Sequence, residues 1–335
     1  MGNLSGGRSV ANWFGQVCPD RRPDTALRRA LLNEKVVFML IRFGFEIDLE
    51  STAPVPMLLA LSTHSELSGR LIGQDDVRTP LGCGVHRYKD RFGNWITRLV
   101  APIGPTKLWT DCVVEMEARP DPQTPSARQL SVPDLPDEVL QYLIPSRYCD
   151  SDFLTQEAWA LFANTPEGWE RVKAITDFVH RHVTFGYQFG RASKTASEVY
   201  REKTGVCRDF AHLAIAFCRA MNIPARYASG YLGDIGVPYS GPGDFCAWFE
   251  VYLDDRWHTF DARYNVPRMG RILMVRGTDA SDVAMITSFG GYKLNFFRVW
   301  SDRLEDGLTT KKILELLETR PDAEPLVFPS SARAA

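Results

Sequence analysis

The chain has 335 residues, 44% of them hydrophobic and 24% charged, an ordinary globular composition that allows one large domain or two modest ones. Its 39 basic and 41 acidic residues give a net charge of −2, which excludes the strongly basic footprint of many nucleic-acid- and membrane-surface-binding proteins. No segment approaches the roughly 20 apolar residues of a transmembrane helix, and residues 1–22 contain no signal-peptide core. We therefore expect a soluble, cytoplasmic protein without nucleic-acid or membrane partners.

The first third of the chain is predicted to be rich in β-strands. Residues 1–34 are weakly patterned and are assigned to an N-terminal extension. Residues 35–117 contain several runs of β-forming residues, such as "VVFMLIRFGFEIDLE", and "DRFGN" between two of them predicts a hairpin. Residues 118–138 carry five prolines and are interpreted as a connector between domains.

Residues 139–320 are predicted to form a second domain of helices followed by strands, ahead of a flexible tail at 321–335. One helix is expected after Thr165 as N-cap, with Pro166 in its first position. A second helix is expected to open at Cys207 and to end before Pro224. Its apolar stripe comprises Phe210, Leu213, Ala214, Phe217 and Met221. Strands are predicted over 226–232, 245–253 and 256–261, and a late helix over 311–320.

Cys207 is the candidate nucleophile. Gly205 lets the backbone turn sharply before the helix, and a cysteine in the first helical turn has its thiolate favoured by unpaired amides and the helix dipole. The same amides could hold a developing oxyanion. The alternative is an inert buried cysteine, which the position alone does not exclude. The other cysteines are Cys18, Cys83, Cys112, Cys149, Cys218 and Cys246, an odd total without disulfide spacing that is typical of a reducing compartment.

Two further site residues follow from a predicted hairpin. If Asp254 and Asp255 form a two-residue loop, the register places Asp261 diagonally next to Cys246, within about 7–8 Å on one strand face. That face is the more polar one and also carries Asp244, Trp248, Glu250 and Tyr252. His258 points to the opposite face and is interpreted as a half-exposed strand histidine, not as a base.

The motifs "GVCRDFAHLAIAFCRAMNIPARYASGYL", "DFCAWFEVYL" and "RWHTFDARYN", in that order, resemble the transglutaminase-like superfamily. The resemblance covers about residues 36–300 and is strongest to bacterial members with a β-rich N-terminal domain. It implies an α+β protein with a papain-like core, in which the helix bearing Cys207 packs on an antiparallel sheet. It also implies that Cys207 is the nucleophile and Asp261 the orienting aspartate, while the family histidine falls on Cys246. A thiol of pKa about 8.5 differs in charge and basicity from an imidazole of about 6.5.

Several functions fit a Cys207–Cys246–Asp261 site. One is a cysteine acyltransferase or hydrolase acting on an amide, ester or thioester, with activated substrates favoured because losing a general acid or base costs about 10²–10⁴-fold in rate. A second is a two-thiol isomerase of the racemase or epimerase kind. Zinc or iron bound by the three residues, a Cys207–Cys246 disulfide, or an inactive family member are the remaining alternatives.

Other residues near these motifs receive weaker assignments. Tyr187, Tyr231 and Trp248 are candidate substrate-binding aromatics. Asp209 and His212 are interpreted as structural, and Cys218 as a core residue. The single arginines Arg226, Arg263 and Arg271 could attract a carboxylate. No cofactor is required, and the expected partner is a small-molecule or peptide substrate.

Overall fold

The computed structural model describes residues 37–80 and 84–327, so the predicted extension at 1–34 and the thiols of Cys18 and Cys83 lie outside the described residues. The helices are Asp137–Leu140 (α1), Thr155–Phe162 (α2), Trp169–His182 (α3), Ala196–Glu202 (α4), Cys207–Ala220 (α5) and Thr310–Leu316 (α6). The strands are Phe38–Ser51 (β1), Val55–Leu59 (β2), Leu71–Ile72 (β3), His86–Lys89 (β4), Trp95–Ala101 (β5), Gly104–Glu117 (β6), Thr184–Phe185 (β7), Thr204–Gly205 (β8), Ala225–Leu232 (β9), Phe245–Leu253 (β10), Arg256–Phe260 (β11), Arg271–Gly277 (β12), Ile286–Ser288 (β13) and Lys293–Arg303 (β14). Short 3₁₀ helices span Ser65–Arg70, Val132–Asp134, Gln141–Leu143, Ser151–Leu154 and Tyr187–Phe189.

Two antiparallel sheets contain the strands of the β-rich first segment. In one, β1 pairs with β6 along its whole length, from Phe38 opposite Glu117 to Ser51 opposite Gly104, and the strand order is β14-β1-β6-β3. In the other the order is β13-β2-β5-β4. The predicted β-rich character is confirmed, and so is the "DRFGN" hairpin, where the Asp90 carboxylate accepts hydrogen bonds from the amides of Phe92 and Asn94 at 2.8 and 2.9 Å.

Each of these two sheets also contains a strand from late in the chain. β14 pairs with the free side of β1, and β13 pairs with β2. Residues beyond β14 return to it as well, since the amide of Leu326 donates to the carbonyl of Phe297 at 2.9 Å. The described residues therefore form one compact unit in which the early and late parts of the chain share sheets.

The third sheet positions the candidate site. It is antiparallel with order β11-β10-β9-β12, and α5 packs against β9 and β10. The predicted two-residue loop is confirmed, because Leu253 lies opposite Arg256 and Phe249 opposite Phe260, and both Asp254 and Asp255 have positive φ. Helix α5 is confirmed too, and the α+β class with it.

The predicted helix cap is wrong, and strand β10 lies in the interior. The helix expected after Thr165 begins at Trp169 and is preceded by Gly168 with φ 82°, while the Thr165 hydroxyl donates to the carbonyl of Phe162 at 2.7 Å. Strand β10 is an interior strand with all nine residues buried, so its more polar face is not exposed. Glu250 on that face is compensated by Arg226 and Arg276, which donate to it at 2.7 and 2.8 Å. None of the helices in the described part is long and apolar enough to span a membrane.

Candidate active site

Cys207 is the first residue of α5, and the turn before the helix is held by Asp209. The Asp209 carboxylate accepts a hydrogen bond from the amide of Val206 at 2.9 Å, as a residue in the first helical turn can when the chain enters the helix sharply. A Cβ atom at Gly205 would lie 2.6 Å from the Asp209 Cβ, so only glycine fits this approach. The structural role predicted for Asp209 is that of a cap, and its contacts agree with it.

The thiol of Cys207 is half-buried and hydrogen-bonded to the thiol of Cys246 near the start of β10. This hydrogen bond lowers the pKa of Cys207, and the Arg263 guanidinium lowers it further, against the opposing effects of burial and of Asp244. Both thiols are free, so the disulfide alternative is not formed in this structure. Cys207 is therefore the member of the pair whose thiolate is favoured.

The pKa of Cys246 is shifted in the opposite direction. Its hydrogen bond to Cys207, its burial and the nearby Asp261 carboxylate all raise the pKa of Cys246 well above its ordinary value. Cys246 is therefore the neutral member of the pair, and its thiol lies 3.7 Å from the carbonyl of Ala247, to which it donates. A neutral thiol at this position can donate a hydrogen bond but supplies no positive charge.

Asp261 directly follows β11, and its carboxylate is already engaged. One oxygen accepts from the amides of Arg263 and Tyr264 at 2.9 and 3.0 Å, and the other accepts from the Arg271 guanidinium at 2.9 Å. Its charge raises the pKa of Cys246. Asp261 is therefore coupled electrostatically to Cys246 and belongs to a network that also orders the loop after β11.

Two residues near the thiols were not assigned a site role from the sequence. Arg263 was considered only as one of three single arginines, yet both Cys207 and Cys246 raise the pKa of its guanidinium against the effect of burial. Its guanidinium carbon lies 3.8 Å from the centroid of the Phe185 ring, which fixes its direction. Arg263 follows Asp261 by two residues, and this closeness to a predicted site residue is the sequence feature that could have indicated its role.

Asp244 is the second residue that the sequence reasoning missed. It accepts a hydrogen bond from the Tyr187 hydroxyl at 3.0 Å. Burial raises the pKa of Asp244 to about 6, although Tyr187 and Arg263 oppose this shift. Asp244 precedes Cys246 by two residues, so strand alternation places both on one face, and this is the sequence feature that could have indicated its role.

Cys207 opens into a cavity of about 560 Å³, a size typical of small-molecule sites. Tyr187 and Asp244 line it close to the nucleophile. Most of its remaining wall is apolar or aromatic, from Ile47, Tyr148, Val206, Tyr227, Phe245, Ala247, Val283, Ala284, Met285, Ile286, Tyr292, Leu294 and Phe297. The nucleophile therefore faces a space that can hold a substrate.

The three predicted substrate-binding aromatics are not equivalent. Tyr187 lines the cavity. Tyr231 is fully buried and packs edge-on against Phe43 and Phe245, and Trp248 is buried beside Arg271. Neither Tyr231 nor Trp248 is among the residues lining the cavity, so their surroundings are those of core residues.

Within the part of the chain that the structure describes, no histidine lines the cavity beside Cys207. His258 is buried, not half-exposed as predicted, because it packs against the Trp169 ring and its Nε2 lies 3.2 Å from the Leu253 carbonyl. His212 on α5 is fully buried, where its Nε2 accepts from the amide of Ala280 at 3.2 Å, and burial lowers its pKa to about 3. Cys218 is likewise a core residue with no exposure.

The same residues do not form a metal-binding cluster. Within residues 37–80 and 84–327, no group of three or more His, Cys, Asp or Glu side chains is arranged to hold a metal ion. Cys207, Cys246 and Asp261 therefore do not form such a group.

Comparisons with known proteins agree with the fold. Residues 157–262, which include Cys207, Cys246 and Asp261, match the family model of the transglutaminase-like superfamily. An uncharacterized protein of Mycobacterium leprae is 28% identical over 59% of this chain and 74% of its own length. An uncharacterized protein of Mycobacterium bovis is 35% identical over 46% of this chain, and the match covers 48% of that relative's length. A crystal structure from Cytophaga hutchinsonii, described as that of a candidate cysteine protease, is 28% identical with a TM-score of 0.73, covering 82% of this chain and 93% of that one.

Proposed function

Because residues 157–262 match the family model of the transglutaminase-like superfamily, we propose that the chain is a cysteine-dependent acyltransferase or hydrolase with Cys207 as its nucleophile. The observation that carries this proposal is the position of Cys207, at the first residue of α5 with its thiol open to the cavity. The neighbouring Cys246 thiol and the Arg263 guanidinium lower its pKa. A thiolate is the reactive form of cysteine, so these neighbours prepare it for attack on a carbonyl carbon.

The first step is acylation of Cys207. Its sulfur attacks the carbonyl carbon of an ester or thioester, the carbonyl oxygen becomes an oxyanion, and the bond to the leaving alkoxide or thiolate then breaks. Amides in the first turn of α5 lack intrahelical partners and are placed to stabilise negative charge at this end of the helix. A thioester needs no general acid from the site, because its leaving thiolate departs without first receiving a proton.

Cys246 acts in this scheme as a neutral hydrogen-bond donor to the Cys207 thiolate. It has no charge to offer a leaving amine, and a general acid usually contributes about 10²–10⁴-fold in rate. The substitution of a thiol for the family histidine therefore favours activated acyl groups over amides.

The second step releases the acyl group to water or another acceptor. Asp244 lines the same cavity as Cys207 and is close enough for its charge to oppose thiolate formation there. As a carboxylate it takes the proton of the attacking water while Cys207 leaves as a thiolate. The Tyr187 hydroxyl holds Asp244 in place.

The contact between the thiols gives acyl chemistry preference over two-thiol isomerisation. In a racemase-like reaction the substrate carbon lies between the two sulfurs, but here Cys246 hydrogen-bonds Cys207 directly. Cys246 is also absent from the cavity wall, whereas Cys207 is part of it.

Intact-mass measurement after incubation with p-nitrophenyl butyrate tests the proposal. The wild-type protein and a Cys218→Ser control are expected to gain one butyryl group and release p-nitrophenol. Cys207→Ala should do neither, with unchanged thermal stability. Retention of turnover by Cys207→Ala would overturn the proposal.

A further inference from the structure

We infer that the acyl group transferred at Cys207 is an uncharged hydrocarbon chain that occupies the apolar cavity, presented as a thioester. This inference rests on the proposed function and adds the class of substrate. It follows from the extent and the composition of the cavity.

The cavity extends well beyond the thiol pair. Ile47 of β1 and Leu294 and Phe297 of β14 line it, so strands from both ends of the chain complete its wall. Phe297 is 5% exposed whereas Met285 is 39% exposed, so the lining runs from the interior to the surface. An acyl chain bonded to Cys207 can therefore extend along apolar surface instead of projecting into water.

The charges on the cavity wall do not suit a charged acyl chain. Arg208 donates to the Arg191 carbonyl at 2.6 Å and lies 3.4 Å from the Asp209 carboxylate. Asp244 is hydrogen-bonded by Tyr187 beside the nucleophile. Lys293 is exposed and belongs to the surface end of the lining. The rest of the lining is largely apolar, and burying a charged chain against it without a partner is unfavourable.

The reaction is balanced without a further reactant. The Cys207 thiolate attacks the carbonyl carbon of the thioester, the new carbon–sulfur bond forms, and the old one breaks to release the leaving thiolate. Each methylene that enters apolar surroundings favours the bound state enough for an approximately fourfold gain in acylation rate constant. The gain stops when the chain fills the cavity.

A series of N-acetylcysteamine thioesters from acetyl to dodecanoyl tests this inference on the 335-residue chain. Intact-mass kinetics are expected to show acylation of Cys207 rising about fourfold per methylene to an optimum and then levelling or falling. Equal or declining rates from acetyl onward, with Cys207 still acylated, would overturn the inference and leave the proposed function standing. Absence of acylation by every thioester while p-nitrophenyl butyrate still acylates Cys207 would overturn only the inference. Absence of acylation by all of these compounds, with Cys207 still alkylated by iodoacetamide, would overturn both.

Two cavity variants separate binding in the cavity from general chain hydrophobicity. Leu294→Trp fills part of the space and should move the optimum to shorter chains, whereas Ile286→Ala enlarges it and should move the optimum to longer ones. Leu314→Trp, on the exposed side of α6 and outside the cavity, is the matched control and should leave the optimum unchanged. Opposite shifts in two folded variants cannot arise from destabilisation, and an optimum that is the same in all four proteins would contradict the inference.

Discussion

At the scale of single residues, the site depends on which of the two thiols ionises more readily. Cys207 has Arg263 and the Cys246 thiol to stabilise its negative charge, while Cys246 has burial and Asp261 against ionisation. The two cysteines therefore have different roles although they are chemically identical. The asymmetry comes from their surroundings, as is usual for paired titratable groups in active sites.

Replacing Cys246 by histidine restores the residue type that the family resemblance implies. An imidazole can accept and return a proton near neutral pH, so we expect Cys246→His to raise kcat/KM for p-nitrophenyl butyrate at least about tenfold. Cys246→Ser, which keeps a hydrogen-bond donor, should change it by much less. Abolished turnover in Cys246→His, with the fold intact, would instead point to a mechanism that requires both thiols.

Asp244 should give the release step a characteristic pH dependence. Its pKa is raised to about 6 by burial, so it is a carboxylate above that pH and loses its ability to accept a proton as the pH falls through about 6. The decay of preformed butyryl-Cys207, followed by intact mass, should slow about tenfold per pH unit below that point.

The matching variant is Asp244→Asn. Its butyryl-Cys207 should decay slowly at every pH, and the decay rate should not fall further below about pH 6. Asp306→Asn is the control, because Asp306 is an exposed residue paired with Arg303. An Asp244→Asn variant that kept the wild-type pH profile would remove Asp244 from the mechanism.

At the scale of elements, helix α5 and strand β10 bring the two thiols together. Periodicity and turn chemistry predicted both elements closely: the helix expected to open at Cys207 begins there, and the strand expected at 245–253 is found at Phe245–Leu253. The stripe predicted for α5 is buried, but Ala211, His212 and Ile215 are buried too, because neighbouring helices and a sheet surround the helix. A sequence pattern identifies the most apolar face, whereas packing decides whether the other faces are also covered.

The start of α5 should be sensitive to a single added methyl group. A Cβ at position 205 would lie 2.6 Å from the Asp209 Cβ, so Gly205→Ala should destabilise the protein by about 1–3 kcal/mol and slow alkylation of Cys207. Urea unfolding and iodoacetamide kinetics measure the two effects. Gly69→Ala, where a Cβ would meet nothing within 4 Å, is the matched control, and equal behaviour of the two variants would show that the Asp209 turn tolerates the change.

At the scale of the whole molecule, the first and last described segments share sheets. β14 pairs with β1, β13 pairs with β2, and both late segments help to line the cavity. The domain boundaries predicted at 118–138 and 320 remain predictions. Segment composition could not reveal these pairings, because partners more than 200 residues apart leave no local pattern in one sequence.

Removing the late strands should therefore damage the early sheets. A chain ending at residue 285 lacks β13 and β14, exposes one edge and part of the buried face of β1, and should lose its cooperative thermal transition. A chain ending at residue 327 keeps every described element and should melt like the full chain. A cooperative transition in the shorter chain would mean that the early sheets are stable without their late strands.

The sequence by itself determined the α+β class, the helix that opens at Cys207, the hairpin that carries Cys246 and Asp261, and the departure from histidine at position 246. These features are local, since they depend on periodicity, turn residues and ordered motifs. Only the tertiary structure decided that Arg263 and Asp244 join the site, that Tyr231 and Trp248 belong to the core, and that a largely apolar cavity lies before the nucleophile. Charge proximity, burial and cavity shape arise from segments far apart in the chain, so they are set by packing and not by any single stretch of sequence.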